Sequence, residues 1–357
     1  MTDTSDISSL IAESATRIFH DRCDPQAINN AKGVCWKEPL WRDIEENGLT
    51  LSWVDEERGG AGVGIAAGFD VLYVSGQFAI PAPLGETMLA GWLLSQAGIA
   101  IPSGPMSVAP CTRQDRIFID KKGALSGTAR SVPFASETRH LVLLAQGEEG
   151  PVTALVETKD CNVKEGTSIA GDPQGKFSLD GVTLLAQSAL PPDIGSDVLM
   201  LLGAAVRARQ IAGGLQAVLD LAVEYAKERI AFGRPIGKFQ AVQHNLARLA
   251  GEVAAADAAS GSAADAIHHA KCFDEAVFLE VAAAKIRAGE AAGEGAAIAH
   301  QVFGAIGFTQ EHILQRYTRR LWAWRDDFGT ESEWAEKLGR RIAAAGADQL
   351  WPILAAR

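Results

Sequence analysis

The sequence lacks the marks of a secreted, metal-binding or polyanion-binding protein. Its five cysteines, Cys23, Cys35, Cys111, Cys161 and Cys272, are dispersed, odd in number and without a CxxC pair. That argues against a disulfide framework or a cysteine-based zinc site, and the expectation is reduced thiols in a cytoplasmic protein. The opening residues, MTDTSDISSLIAES, have no basic stretch followed by an apolar one, and no run of about 18 apolar residues occurs elsewhere. The reading is a soluble, unexported chain with no membrane span. Basic charge is also short: 33 Lys and Arg stand against 44 Asp and Glu, a formal net charge of −11. Nucleic acid is therefore not an expected partner. A local cationic site can still hold a phosphate-bearing cofactor, because a phosphate responds to the field at its own position. No nucleophile elbow, P-loop or HExxH motif is present.

With 357 residues, 47% apolar and 22% charged, the chain has ordinary globular composition and exceeds the ~250 to 300 residues at which one core usually stops growing. Two or three packed units are expected. From about residue 5 to 100 the pattern is helical, interrupted by DEERGGAGVG at 55 to 64. The glycines there admit a dinucleotide loop or a turn between helices. The strand, glycine loop, helix and distal acid of a dinucleotide site are not evident, so the turn is the expectation.

Between about 105 and 190 the texture changes to short β segments, RIFID at 116 to 120, HLVLLA at 140 to 145, VTALVE at 152 to 157 and KFSLDGVTLL at 176 to 185, separated by turn formers. A small antiparallel barrel or sandwich is expected. From about 196 helical periodicity returns, with Ile211, Leu215, Val218, Leu219 and Ala222 on one face. The resulting fold class is α+β, with a helical domain at 1–103, a β domain at 104–192 and a four-helix bundle at 193–357.

Helices, then a β domain, then a long helical bundle is a layout that resembles the acyl-CoA dehydrogenase family, flavoproteins that desaturate acyl-CoA thioesters. Particular residues carry the resemblance: YAKERIAFGRPIGKFQAVQHNLARLA at 225 to 250, QVFGAIGFT at 301 to 309, RYTRRLWAWRDDFGTESEW at 316 to 334, and the DEERGGAGVG loop. The resemblance implies FAD as cofactor. Its contacts would come from Arg229, Phe232, Gly233, Gln240, Gln301, Gly304, Gly307 and Thr330, the first segment reaching the FAD of a neighbouring subunit. A guanidinium suits pyrophosphate oxygens, and glycine lets backbone N–H groups approach a ligand. It also implies an acyl-CoA substrate, an electron-transfer flavoprotein or similar acceptor, and a homo- or hetero-tetramer containing a related dehydrogenase subunit.

The departures from the family pattern matter as much. Where the family often has a Glu before a Gly-Thr pair to abstract the α-proton, FGTES at 328 to 332 puts Phe328, which cannot take a proton. LGAAVRARQIAGG at 202 to 214, the other place where relatives carry a base, offers no carboxylate. Asp327 is the nearest substitute, and an aspartate in an apolar pocket could serve as base. Its plainer reading, together with Asp326, is a surface residue near Arg325. Ser131 falls at the position of a flavin-embracing tryptophan, Pro133 near a threonine, and SVAPCTRQDR at 107 to 116 replaces a longer loop.

Adjacent His268 and His269 point about 100° apart on a helix and do not suggest a shared metal. Trp322, Trp324 and Trp334 are expected to pack the core. Three readings remain open: a subunit that shares FAD sites with a catalytic partner, a self-sufficient dehydrogenase using Asp327, and a flavin-free structural or binding subunit. Heteromeric relatives acting on bulky esters suggest lipid or steroid catabolism for the first.

Overall fold

The computed structural model describes residues 4–31, 37–60, 62–110 and 115–355. Cys35, Cys111, Ala61 of the glycine-rich loop and residues 111–114 of the segment expected beside the flavin lie outside the described residues. Helices come first: α1 Thr4–Arg22, α2 Pro25–Asn30, α3 Lys37–Glu46, α4 Gly64–Gln77 and α5 Leu84–Gln96. Between α3 and α4 the glycine-rich stretch makes a short 3-10 turn. Gly59 is left-handed there, and a side chain at Gly60 would collide with the Val54 carbonyl. This is the turn between helices that the sequence suggests.

Strands β1 Met106–Val108, β2 Ile117–Ile119, β3 Leu125–Pro133, β4 His140–Gln146, β5 Pro151–Glu157, β6 Asn162–Thr167, β7 Pro173–Ser178 and β8 Ala186–Ala189 follow. Their order is β6-β7-β3-β2-β4-β5-β8, with β1 also on β4. The sheet is mixed, since β1 and β2 both run parallel to β4, and this corrects the expected antiparallel arrangement. β1 arrives directly from α5, pinned by the Thr87 hydroxyl, which bonds both the N–H and the carbonyl of Met106. β3 bends at a register shift between Ala129 and Val132, which lets it pair β2 at one end and β7 at the other.

The last part contains α6 Ser196–Glu228, the hairpin β9 Ile230–Ala231 and β10 Arg234–Pro235, α7 Gln240–His269, α8 Glu275–Phe303, α9 Leu314–Asp326, α10 Glu331–Ala345 and α11 Ala347–Ala355. α6 is apolar and long enough to cross a bilayer, but 89% of its most apolar window is buried inside the protein. It is the central helix of the bundle. Ile211, Leu215, Val218 and Ala222 are fully buried on its inner face. α8 approaches closely because its inward positions are small: a side chain at Gly295 would meet Leu215 at 2.7 Å.

α9 ties the layers together. Tyr317 donates to the Gln77 carbonyl at 2.9 Å. Arg320 donates to the Ala79 carbonyl at 2.7 Å and to both oxygens of Asp172. Arg319 donates to the Ile169 carbonyl at 2.6 Å. The first half of α9 is therefore held against both the N-terminal helices and the sheet.

Candidate functional site

The segment expected to carry a catalytic base is a turn between α9 and α10 with two left-handed residues, Phe328 (φ 54°) and Gly329 (φ 93°). A non-glycine residue there is strained unless its surroundings compensate. Phe328 is 3% exposed, and its ring lies on Gly203 of α6, where a Cβ would come within 2.2 Å of it. Its carbonyl accepts a hydrogen bond from Trp334 Nε1 at 3.0 Å. Buried Lys285 of α8 closes the helix end, donating to the carbonyls of Trp324 (2.8 Å), Arg325 (3.0 Å) and Asp327 (2.8 Å). Burial pushes the Lys285 ammonium down to about 7, against the pull of Asp327.

Asp327 does not face solvent beside Arg325, as its plainer reading from the sequence has it. Its carboxylate turns inward onto Arg207 of α6, accepting from Nε at 3.0 Å and lying 2.9 Å from Nη2. Arg325 pairs instead with Glu331, while Asp326 is exposed. The other side of Arg207 is held by Glu86 of α5 and by Gln210, whose Oε1 accepts at 2.6 Å. Gln210 in turn donates to Ser75 at 3.2 Å. Arg207 and Glu86 are 2% and 1% exposed. Burial raises the Glu86 carboxyl above its ordinary range, opposed by Arg207. For Arg207, burial works to lower the guanidinium, and Glu86 and Asp327 outweigh it.

The cavity beside these groups is about 20 Å³, lined by Pro133, Phe134, Asp172, Arg207, Trp324 and Asp327. That is about the room of one or two waters, whereas ligand pockets usually offer ~300 to 1,000 Å³. Ser131 sits in the β3 bulge, left-handed and exposed, presenting no ring face. This end of the chain does not fit an isoalloxazine.

The remaining positions named from the sequence gather elsewhere. Arg229 is the C-cap of α6, exposed, and its guanidinium has no ion pair or hydrogen bond among the described residues. Phe232 and Gly233 form the two-residue turn of the β9–β10 hairpin, both left-handed, as a type I′ turn requires. The Phe232 side chain is 95% exposed. Gln240 is the first residue of α7 and is exposed. Gln301 is exposed on the last turn of α8, which adjoins the end of α6 through Tyr225 stacked on Phe303 at 4.3 Å.

Gly304 is left-handed, with open space where a Cβ would stand. Backbone at this point is free to meet a ligand. Gly307 is different, because a Cβ there would meet Phe303 at 2.9 Å, so packing explains the glycine. Thr330 lies at the other end of the bundle, where its hydroxyl and backbone N–H form a capping box with Glu333. The two ends are well separated: Arg207 and Arg229 are 22 residues apart on one helix, about 33 Å of axis.

Sequence reasoning passed over Glu86, Arg207 and Lys285. A single carboxylate inside the apolar stretch LGETMLAGWLL was the available signal for the first. Trp324 and Trp334 are buried in the core, as expected of them, and Trp322 is half-buried.

Comparison with known proteins agrees with this architecture. Residues 200–341 match the model of the acyl-CoA dehydrogenase C-terminal domain. The acyl-CoA dehydrogenase IpdE2 of Mycobacterium tuberculosis is 29% identical over 317 residues, covering 87% of this chain and 89% of that one. The Tcur3481–Tcur3483 steroid ACAD variant superposes with a TM-score of 0.85 at 25% identity over 97% of this chain and 100% of that one. The ChsE4–ChsE5 complex of M. tuberculosis gives 0.85 at 22% identity, over 96% and 98%, a likeness of fold. Residues 200–341 thus match the C-terminal domain of acyl-CoA dehydrogenases, and the chain is similar over most of its length to proteins of that family of oxidoreductases.

Proposed function

We propose that this chain is the subunit of a heteromeric FAD-dependent acyl-CoA dehydrogenase that completes a partner's cofactor site and performs no dehydrogenation itself. The observation that carries the reading is the contrast between its two ends. At one, Phe328 and the Arg207–Asp327 pair fill the space where substrate and flavin ring would meet. At the other, Arg229, Gln240, Gln301 and Gly304 are exposed and unclaimed. Groups about 33 Å apart along one helix cannot hold the same reacting centre.

In this reading Arg229 donates to the pyrophosphate of a neighbour's FAD, and the Gly304 backbone approaches its adenosine side. Bound there, the cofactor supplies the hydride acceptor for α,β-desaturation, while proton abstraction falls to a carboxylate of the partner. A strained, solvent-exposed Phe232 is what an interface anchor looks like before its partner is present. Asp327 as a base is disfavoured, since Arg207 holds its carboxylate and no acyl chain can reach it. Relatives described as steroid enzymes or as two-protein complexes make a bulky acyl-CoA ester the substrate class we favour, with an electron-transfer flavoprotein as acceptor.

The test compares the chain alone, reconstituted with FAD, and the chain co-expressed with a related dehydrogenase subunit that carries the Glu base. Each is assayed with several acyl-CoA esters and an artificial electron acceptor. Turnover in the complex only is expected. Because a base contributes ~10² to 10⁴ in rate, robust turnover by the lone chain, abolished by Asp327→Asn, would overturn the reading.

A further inference from the structure

Between α3 and the β3–β4 connection lies a cleft of about 870 Å³, apart from both ends described above. Trp41, Ala82, Pro83 and Pro105 give it an apolar lining. One part is bridged by Lys37 and Glu137, whose ammonium lies 2.6 Å from both carboxylate oxygens, with side chains only 18% and 14% exposed. Lys37 also stands 5.9 Å over the ring of Phe134. Phe134 lines the small inner cavity, which shares no lining residue with the cleft.

Hydrogen-bonding groups are left over here. Trp41 Nε1 and Thr138 Oγ1 are buried without a partner, and Thr138 as a whole is 6% exposed. An indole N–H can only donate, and a buried donor left unpaired costs about 1 to 3 kcal/mol. Arg42 and Arg139 are exposed at the rim, and neither guanidinium has an ion pair or hydrogen bond among the described residues. Apolar walls beside two exposed, unpaired guanidiniums suit a ligand with an apolar body and acceptor oxygens.

The charges narrow that class. Glu137 is neutralised by Lys37, and Glu45 accepts from the Gly104 N–H at 2.5 Å. Glu38, Glu45 and Glu46 keep their charges, against Arg42 and Arg139, so an anion can be held only at the two guanidiniums themselves. With no excess of positive charge the cleft has no field for a polyphosphate, whereas a single carboxylate can bond a guanidinium fork in two places.

We propose that this cleft binds a monocarboxylate amphipath, its apolar body on Trp41, Pro83 and Pro105 and its carboxylate on Arg42 and Arg139. The site does not depend on the FAD reading. The test is calorimetric titration of the full chain with sodium dodecanoate and with sodium cholate, each below its micelle concentration, which separates a linear from a polycyclic body. Coenzyme A and dodecyltrimethylammonium are the counter-probes.

Saturable binding of either acid, weakened at least tenfold in an Arg42→Ala/Arg139→Ala double variant of unchanged melting temperature, supports the site. Because both guanidiniums are exposed and unpaired, that variant is expected to fold normally. No saturable binding of either acid, equal binding by the double variant, or equally tight binding of coenzyme A or the cationic amphipath overturns the proposal.

Discussion

Replacing Arg229 by Ala isolates what the exposed end of the bundle does. Within the chain the guanidinium is exposed and bonded to nothing described, so its loss should leave folding stability within about 0.5 kcal/mol of wild type. In the assembled dehydrogenase the same side chain would form charge-assisted hydrogen bonds to pyrophosphate. Such bonds are worth about 1.5 to 3 kcal/mol, which weakens FAD binding by roughly ten- to 150-fold, since 1.36 kcal/mol is a factor of ten. Arg229→Lys, keeping charge but losing the rigid fork, should fall between. The assay dilutes the purified complex and follows the rise in fluorescence as FAD is released, with the melting temperature of each lone chain as control. Equal FAD retention by wild type and Arg229→Ala complexes would refute the assignment. A drop in the lone chain's melting temperature would show instead that Arg229 has a structural role.

Other outcomes follow from the same geometry. Phe328→Glu restores the family's base in sequence, but with about 20 Å³ beside it the lone variant should remain inactive. It should also be destabilised by several kcal/mol, from a lost buried ring and an added buried carboxylate; turnover by the variant would show that the space opens. Gly304→Ala should weaken FAD retention with about 1 kcal/mol of backbone strain, whereas Gly307→Ala, which collides with Phe303, should chiefly lower the melting temperature. For Lys285, the folded-state value of about 7 lies below the ordinary lysine value of 10.5, so between these the unfolded chain binds more protons. Stability from this group therefore rises with pH across that window, by about 5 kcal/mol at most. Cys23 and Tyr317, raised by burial, work the other way. The difference between wild-type and Lys285→Met denaturation curves at pH 7 and pH 10 isolates the lysine, and a pH-independent difference would contradict its shift.

The succession of helices, strands and helices was legible in the sequence because the periodicities differ: the inward stripe of α6 repeats every three to four residues, whereas β4 and β5 are short apolar runs set off by turn residues. Which strands pair was not legible. The parallel placement of β1 and β2 on β4 depends on how α5 delivers the chain, and strand composition does not record it. The turn that follows Glu56 was legible from local residues alone, through its glycines. The inward turn of Asp327 was not, because its partner Arg207 is 120 positions away and Arg325, the near cation, goes to Glu331.

Burying Arg207 against Asp327 and Glu86 has a functional consequence beyond packing. An unpaired guanidinium beside an open pocket would attract an anion, but two carboxylates already satisfy this one, and removing either would leave a charge in low dielectric at a cost of about 3 to 5 kcal/mol. A substrate or cofactor entering from outside would have to break that arrangement before making any contact of its own. Phe328 adds a steric barrier, since its ring occupies the groove that Gly203 leaves on α6. The inner end is therefore closed twice, by charge pairing and by volume, while nothing described in the chain occupies Arg229 or covers Phe232 at the outer end. A fold that spends stabilising contacts on closing one end and holds a strained aromatic exposed at the other supports the proposal that the chain completes a neighbour's site.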